Sequence, residues 1–341
     1  MADAPFPVGK LPAEVLNGLL ARAPIDDPSV VVGPGVGMDC AVVELGERLL
    51  VAKSDPITFV ADDLGRYLVQ INANDVATTG AVPRWLLLTL LLPQGRADRA
   101  MVEAIMDQVG AGCREMGVTL IGGHTEITHG LDRPVAVGAL LGEVSREGLI
   151  TPRGARPGDR LLLTKGVPIE GTAIMADAFA ERLQGVLSAP DLERAQAFAR
   201  EPGISVWRDA REAVAAGRVT AMHDPTEGGL ATALWELAWA SGRTLRVDLA
   251  AVPVPEVAAR VCAALKVDPM AMIASGALLL TVAPDDAAAV AAALEAAGIR
   301  CADIGAVRAG PAAVEAVTAD GVRALPLPER DEIARLFEEG V

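Results

Sequence analysis

Three aspartates in the first quarter of the chain are spaced so that they could share a metal ion. Asp39 precedes an apolar stretch and Asp55 ends the next one. Asp75 lies four residues after Ile71 on the apolar face of the stretch 64–78, read as a helix of about 3.6 residues per turn. An isolated carboxylate on such a face must be neutralised, and Mg²⁺ prefers oxygen ligands. The spacing therefore predicts a Mg²⁺ site. The alternative is that Asp39 and Asp55 are turn residues and that Asp75 lies at a helix end that has reached the surface.

Two glycine-bearing segments could place backbone N–H groups on phosphate oxygens. GPGVGMD offers Gly35 and Gly37 in a loop, and it is neither a Walker A motif nor a G-x-G-x-x-G motif that opens a helix. In TKGVPIEGTAIMADAF a glycine turn leads into a helix whose start, at Gly171 and Thr172, could hold a phosphate. An ordinary loop and an ordinary strand-to-helix turn remain open as alternatives.

The segment IGGHTEITHG follows an apolar stretch and combines small and ionisable residues. Gly122 and Gly123 permit close approach to the backbone, and His124 and Glu126 point to the same side of an extended chain. A zinc site on His124 and His129 lacks further ligands.

The segment MHDPTEGGLATALWELAWA opens a helix in an unusual way. Asp224 lies in a turn, Glu227 in the first helical turn, and Gly228 and Gly229 follow. Two glycines at a helix start cost stability relative to alanine, so they indicate a ligand lying against the backbone. Tight packing of this helix on a sheet is the alternative.

The elements that must position these residues are predicted from periodicity and turn signals. WLLLTLLL, apolar on both faces, is predicted to be a strand buried on both sides. A Gly-Glu turn joins AVVEL and RLLVAKSD as a hairpin. The first half is predicted to contain helices at 12–23, 64–78 and 99–116, and strands at 41–45, 48–55, 85–92, 118–121 and 135–142.

A glycine-, proline- and charge-rich segment, EVSREGLITPRGARPGD, marks a domain boundary near Glu147. We therefore expect an N-terminal domain, 1–147, and a C-terminal domain, 148–341. The second domain is predicted to contain helices at 171–180, after DPTEGG and at 285–298, a charged helical stretch at 191–217, and a strand at 276–283.

Composition limits the function classes. A net charge of −15 makes a nucleic-acid partner unfavourable, and an acidic protein that handles an anionic ligand must shield it, most simply with a divalent cation. The four cysteines form no C-x-x-C motif. MADAPFPVGK is not a signal peptide and the longest apolar runs are too short to span a bilayer, so a cytoplasmic protein without a membrane partner is expected.

Five segments together carry a resemblance to a known family: MDCAVV, SDPITFV with DDLGRYLVQINANDVATTGAVPRWLLLTLLLP, GGHTEI, EGTAI and DPTEGGLATAL, in this order. The chain resembles, from about residue 10 to 328, the family of aminoimidazole ribonucleotide (AIR) synthase, thiamine-monophosphate kinase, selenophosphate synthetase and the hydrogenase maturation protein HypE. It is most similar to HypE and the AIR-synthase-related proteins.

The resemblance implies a two-domain, PurM-like α/β (α+β) fold, with an N-terminal sheet that joins a second subunit in a barrel across a homodimer. It implies ATP in a cleft, Mg²⁺ on Asp39, Asp55 and Asp75, and phosphoryl transfer to an amide, carbonyl or phosphate oxygen. The acceptor would be an unidentified small molecule or a partner protein's thiocarboxamide. The residues expected to contact ATP are Gly35, Gly37, Asn72, Gly122, Gly123, His124, Glu126, Gly171, Thr172, Asp224, Glu227, Gly228 and Gly229.

Three departures from the family patterns keep rival functions open. HypE proteins end in a cysteine that carries the carbamoyl group, whereas this sequence ends RLFEEGV and its last cysteine is Cys301. Thiamine-monophosphate kinase has an acidic residue at the position of His124 in this chain. The kinase function therefore lacks one ligand here, unless Glu126 takes that role. Selenophosphate synthetase has a reactive cysteine near its N-terminus, and here no cysteine precedes Cys40. The rivals are a kinase of the thiamine-monophosphate type and a non-catalytic nucleotide-binding protein of a maturation complex.

The strand WLLLTLLL also predicts assembly, because a second apolar face needs a further layer. A dimer interface is expected to include Leu86, Leu88 and Leu90, or their alternates Leu87, Thr89 and Leu91.

Overall fold

A computed structural model describes residues 6, 11–24, 26–58 and 63–338. The start of the resemblance at residue 10 and the residues 59–62 of its second segment lie outside the described residues. Two compact units are present. The N-terminal unit comprises Ile25–Gly33 and Asp39–Leu149, and the C-terminal unit comprises Met1–Pro24, Pro34–Met38 and Ile150–Val341. Among the described residues, no helix has the length and apolar character needed to cross a membrane.

Each unit contains helices and one sheet, which confirms the predicted α/β class. The helices are α1 (Ala13–Leu20), α2 (Leu64–Thr78), α3 (Arg99–Met116), α4 (Glu170–Ala178), α5 (Ala180–Leu183), α6 (Ala189–Gln196), α7 (Trp207–Ala216), α8 (Gly229–Ser241), α9 (Glu256–Leu265), α10 (Ala287–Ala296) and α11 (Glu332–Glu338). The strands are β1 (Val30–Val32), β2 (Ala41–Leu45), β3 (Arg48–Ile57), β4 (Val82–Pro93), β5 (Thr119–Thr128), β6 (Val135–Val144), β7 (Arg160–Thr164), β8 (Val219–His223), β9 (Thr244–Asp248), β10 (Leu279–Val282), β11 (Cys301–Arg308), β12 (Ala313–Thr318) and β13 (Gly321–Ala324).

The N-terminal unit is a six-stranded sheet in the order β1-β2-β3-β6-β4-β5, with α2 packed on β3, β6 and β4 and against α3. The predicted hairpin is confirmed, because β2 and β3 pair antiparallel and close at Leu45 and Arg48. The helices α2 and α3 have the predicted bounds. The start of α3 is fixed by Asp98, whose carboxylate accepts a hydrogen bond from the Met101 N–H at 2.9 Å.

Within this unit β4 is buried on one face, and burial of its second face by a partner subunit stays a prediction. Leu86, Leu88 and Leu90 are at most 4% exposed, whereas Leu87 is 39% exposed and Leu91 is partly exposed. The alternation arises because α2 covers only one face of the sheet. The outward face of β4 is therefore the one that the described chain leaves open.

Strand β5 is an edge strand, and its residues from Thr119 to Ile127 are all exposed. It pairs in parallel with β4, and the register shifts at Ile121, so that Leu120 faces Leu86 while Gly122 faces Leu87. At Gly123 a side chain has no room, since an added Cβ would lie 1.8 Å from the Leu88 carbonyl oxygen.

The C-terminal unit contains a seven-stranded sheet in the order β13-β12-β9-β11-β7-β10-β8. A buried hydrophobic cluster of this unit combines α8 with the central strands, through residues such as Leu230, Leu234, Leu161 and Leu279. The predicted helix 191–217 is wrong as one element. It is divided into α6 and α7 by Glu201-Pro202-Gly203, because proline donates no hydrogen bond and disfavours the helical conformation before it.

Candidate functional site

A lysine joins the predicted metal ligands of the N-terminal unit. Lys53 and Asp55 lie two residues apart on β3, so their side chains project from the same face of the strand. The Lys53 ammonium nitrogen is 3.2 Å from Oδ2 of Asp75 and 3.4 Å from Oδ2 of Asp55. Asp75, on α2, is 3% exposed. The structure thus brings two of the three predicted aspartates together around Lys53.

Burial opposes the charged form of Lys53, but the carboxylates of Asp75, Asp55 and Asp39 outweigh it and hold the lysine pKa above its ordinary value. The buried Asp75 is therefore neutralised by a cation that the chain itself supplies. Three carboxylates and one ammonium leave a formal charge of −2, which one divalent ion would balance. Carboxylate oxygens with this residual charge fit Mg²⁺.

Asn72 fixes the position of Asp55. Its side-chain oxygen accepts a hydrogen bond from the Asp55 N–H at 3.1 Å, and its amide nitrogen donates to the Leu68 carbonyl at 2.9 Å. Gly138 on β6 leaves space for this amide, because an added Cβ would lie 2.6 Å from its nitrogen. Asn72 is thus part of the framework of the aspartate cluster, and its predicted contact with ATP stays a prediction.

His124 and Glu126 form a hydrogen-bonded pair on β5, with 3.0 Å between Nε2 and Oε2. Their predicted orientation to one side of the strand agrees with this contact. An open pocket adjoins them, lined by Leu88, Met106, Leu120–Gly123, His124 and Thr125. Three strand steps separate β5 from β3, roughly 14 Å at the usual spacing, so the sheet does not place this pair beside Lys53.

The loop with Gly35 and Gly37 packs on α8 within the C-terminal unit. Gly37 has φ +74°, and an added Cβ would lie 2.9 Å from the Glu236 carbonyl oxygen. Glycine is therefore required here by close packing. Glu236 also contacts His223, with 2.8 Å between Oε2 and Nε2, in a pair that the sequence analysis did not identify.

The backbone donors at the start of α8 already have acceptors. The Gly228 N–H donates to Oδ2 of Asp331 at 2.6 Å, and the Gly229 N–H donates to the Thr226 carbonyl at 3.0 Å. The Gly171 N–H, at the start of α4, donates to the Ile273 carbonyl at 3.0 Å. A phosphate would have to displace these contacts, so the predicted roles of these glycines in holding ATP stay predictions.

The close approach at Gly229 is made by the chain itself. An added Cβ would lie 2.5 Å from the Met272 carbonyl oxygen and 2.6 Å from that of Met270. Both carbonyl groups belong to residues 270–275, which are named the 270–275 segment from here on. It also accepts hydrogen bonds from the N–H groups of Ala231, Gly171 and Glu332, which holds the starts of α8, α4 and α11 on one short stretch.

Two further carboxyl groups that the sequence analysis missed lie around this segment. Glu170, in the first turn of α4, is buried, and burial with the charges of Glu227, Asp331 and Asp224 raises its pKa to about 8. Burial likewise raises the pKa of Asp331 to about 6, although the Gly228 and Ile333 N–H groups oppose this. The predicted Asp224 and Glu227 therefore belong to an acidic cluster with Glu170 and Asp331.

Comparisons with known proteins agree with this two-unit arrangement. The AIR synthase related protein family matches with its N-terminal domain over residues 37–144 and its C-terminal domain over residues 156–317. The chain is 27% identical to a crystallised hydrogenase maturation protein HypE in complex with ATP, with a TM-score of 0.70, and the match covers 96% of this chain and 98% of that one.

Two relatives of known name support the same family assignment. The carbamoyl dehydratase HypE of Rhizobium leguminosarum bv. viciae is 33% identical over 71% of this chain and 66% of its own length, just under two thirds. The selenide, water dikinase of Geobacter metallireducens is also 33% identical, over 70% of this chain and 67% of its own length. Fold, site composition and relatives converge on one conclusion: the chain belongs to the family of AIR synthase related proteins and has both of its domains.

Proposed function

We propose that this protein is an ATP- and Mg²⁺-dependent, HypE-like phosphoryl-transfer enzyme. The observation that carries the proposal is the cluster of Lys53, Asp55 and Asp75 with the nearby charge of Asp39. A partly buried cluster of carboxylates with a residual formal charge of −2 is suited to a divalent ion that accompanies a nucleotide. The HypE relative that was crystallised with ATP supports the choice of nucleotide.

Asp39, Asp55 and Asp75 would hold Mg²⁺, which supplies charge neutralisation to the phosphates when it is bound. Lys53 pairs with Asp55 and Asp75, and it is a compact cation that can also approach a phosphate oxygen. Asn72 holds Asp55 in place by accepting a hydrogen bond from its N–H, while its own amide nitrogen is occupied by the Leu68 carbonyl. Catalysis of this kind depends mainly on position and charge, and these residues provide both.

The acceptor that we propose is an amide or carbonyl oxygen, on a small molecule or on a thiocarboxamide carried by a partner protein. The support is the similarity to carbamoyl dehydratases named HypE. The relatives also include a selenide, water dikinase, so the acceptor does not follow from the family alone. The proposal includes the domain division at residues 147 and 148, and a homodimer that covers the outward face of β4.

Mg-ATP binding by Asp75→Asn tests the proposal. This variant keeps the shape of the side chain and removes its charge, and we expect Mg-ATP affinity to fall at least roughly tenfold, about 1.4 kcal/mol. The matched control is Asp303→Asn, a half-exposed aspartate that pairs with Arg160 in the C-terminal unit. Calorimetry that gives equal Mg-ATP affinities for the wild type and Asp75→Asn would overturn the proposal.

Two assays separate the rival functions. Release of phosphate from ATP by the purified protein, increased by a carboxamide acceptor, supports the HypE-like enzyme. Transfer to thiamine monophosphate supports the kinase, for which the His124–Glu126 pair would have to supply the acidic group. Tight ATP binding without turnover, whichever acceptor is added, indicates a non-catalytic binding protein.

A further inference from the structure

One carboxylate fastens the C-terminal strap, residues 331–338, to the rest of its unit. Oδ2 of Asp331 accepts a hydrogen bond from the Gly228 N–H at 2.6 Å, at the start of α8, and Oδ1 caps the strap's own helix, α11. A further hydrogen bond joins Asp331 to the backbone of Ile273, in the 270–275 segment. Asp331 therefore links the strap, the start of α8 and the 270–275 segment.

The helix of the strap depends on this docking. α11 has seven residues, which is too short for a helix that is stable by itself. Its buried side chains are three small or apolar ones, and its charged pair, Arg335 with Glu332 at 2.8 Å, is internal to the strap. Residues 326–330, which lead into it, have no regular secondary structure and are mostly exposed. An undocked strap would therefore lose its helix.

Glu170 is held by the same segment as Asp331. Its N–H donates to the Ser275 carbonyl at 3.2 Å, and the Ser275 side chain hydrogen-bonds its carboxyl group. Glu170 is 5% exposed, and its Oε2 has no hydrogen-bond partner among the described residues. A buried oxygen without a partner is costly, and ionising the group makes the cost larger. The docked arrangement thus accommodates a neutral Glu170 better than an ionised one.

We propose that the C-terminal strap is a pH-sensitive latch, which stays closed over the starts of α4 and α8 while Glu170 is neutral and is released when Glu170 ionises. An ionised Glu170 adds a second negative charge near Asp331 in an environment that excludes water. Release of the strap relieves this, because water then reaches Glu170. It also removes the acceptor of the Gly228 N–H and frees the 270–275 segment.

The direction of the pH dependence follows from the groups that act on Glu170. Burial first, and then the charges of Glu227, Asp331 and Asp224, raise its pKa from 4.5 to about 8. In the released state water lowers the pKa again, so the closed state binds more protons between these values. Closing therefore weakens as pH rises from about 4.5, and the loss is complete above about pH 8. The pKa of Asp331 is about 6, so Asp331 is ionised over the upper part of this range.

The latch involves none of the residues Asp39, Asp55 and Asp75 and requires neither nucleotide nor metal. It does not depend on the proposed enzymatic activity, and the two proposals fail in different experiments.

The experiment is limited proteolysis of the full-length protein by trypsin in EDTA at pH 6.5 and pH 8.5. Cleavage after Arg335, inside α11, requires an undocked strap and reports its population. Each rate is divided by that of a free peptide of residues 326–338 at the same pH, which removes the pH dependence of trypsin itself. We expect this relative rate to rise at least roughly fivefold in the wild type between the two pH values.

Glu170→Gln cannot ionise, so its strap should stay equally protected at both pH values. Glu193→Gln, an exposed substitution on α6, is the control for a change of charge alone and should behave like the wild type. Cleavage after Arg211, in α7, monitors unfolding of the whole unit and should stay slow.

Equal changes in the wild type and Glu170→Gln overturn the proposal, as does a wild-type strap that is equally protected at both pH values. A parallel rise in cleavage after Arg211 overturns it too, because the whole unit then unfolds. If Glu170→Gln does not fold, Asp331→Asn carries the test. Without the carboxylate that fastens the strap it should be cleaved at pH 6.5 about as fast as the wild type at pH 8.5, and a protected strap in this variant contradicts the latch.

Discussion

The ammonium nitrogen of Lys53 lies 3.2 Å from Oδ2 of Asp75, although the two residues are on different elements, β3 and α2. The lysine side chain is 17% exposed and that of the aspartate 4%. This contact ties the helix to the sheet at the centre of the candidate metal site, so the same lysine contributes to stability and to the charge available for a ligand.

Lys53→Gln tests that double role. Removing one member of a buried ion pair typically costs about 3–5 kcal/mol, and here it would leave three carboxylates without their cation. We expect a lower melting temperature in EDTA and a larger increase on adding MgCl₂ than the wild type shows. Differential scanning fluorimetry measures both effects.

The control is Arg99→Gln, which breaks an exposed pair with Glu103 on α3 and should cost at most about 1 kcal/mol. A Lys53→Gln variant that melts like the wild type and gains nothing from MgCl₂ would contradict the assignment of Lys53 as the counterion of Asp75.

Gly229→Ala should destabilise the protein by at least about 2 kcal/mol, since it adds a backbone clash to a strained conformation. Gly229 has φ +64°, and the added Cβ meets the carbonyl oxygens of Met270 and Met272. From helix propensity alone a slight gain in stability would be expected, and the structure reverses that sign. Chemical denaturation gives the change in unfolding free energy.

Gly242→Ala is the matched control for this variant, at the other end of the same helix. Gly242 has φ +65° but nothing within 4 Å of an added Cβ, so only the conformational cost of about 1 kcal/mol applies. Equal losses in the two variants would show that the clash at Gly229 is relieved by a small movement of the 270–275 segment.

Because β4 has one open and one buried face, substitutions of neighbouring leucines should have different effects on folding and assembly. Leu87→Glu places a charge on the face that the chain leaves open, so we expect a folded protein that is monomeric by light scattering. Leu88→Glu buries a charge in the core, and it should unfold or aggregate. A monomeric wild type at micromolar concentration would rule out the proposed dimer.

Stability should fall as pH rises because of Glu170. Its pKa is about 8 in the folded protein and ordinarily 4.5, so the folded state binds more protons between these values. The penalty is absent below about pH 4.5 and complete above about pH 8, and should amount to a few kcal/mol. In EDTA, Glu170→Gln should therefore become increasingly more stable than the wild type across this range. Parallel pH profiles for the two proteins would contradict the burial of a titrating Glu170.

Local patterns predicted the elements well where one helix or strand carried its own signal. The bounds of α2 and α3 follow from the spacing of their apolar residues and, for α3, from the cap at Asp98. Lys53 could have been identified from the strand alternation that places it beside Asp55. The exposed face of β4 could not, because eight consecutive apolar or neutral residues do not show which side the helices cover.

The acidic cluster lay beyond sequence reasoning for a different reason. Glu170 and Asp331 are separated by most of the C-terminal unit, and they meet only because three helix starts are fixed on the 270–275 segment. Gly228 and Gly229 gave the correct signal that something lies against the backbone. The sequence did not show that this is the chain itself, since the contacting carbonyls come from about forty residues further along.

The 270–275 segment also has a consequence for motion. The first turns of α4, α8 and α11 donate hydrogen bonds to three different carbonyls of this one segment, so a movement of the segment would disturb all three helix starts. Regions linked in this way open as one cooperative unit, and their amide protons exchange with similar protection. Deuterium uptake at Gly171, Ala231 and Glu332 would then follow a common rate, and anything that binds at one helix start would slow exchange at all three.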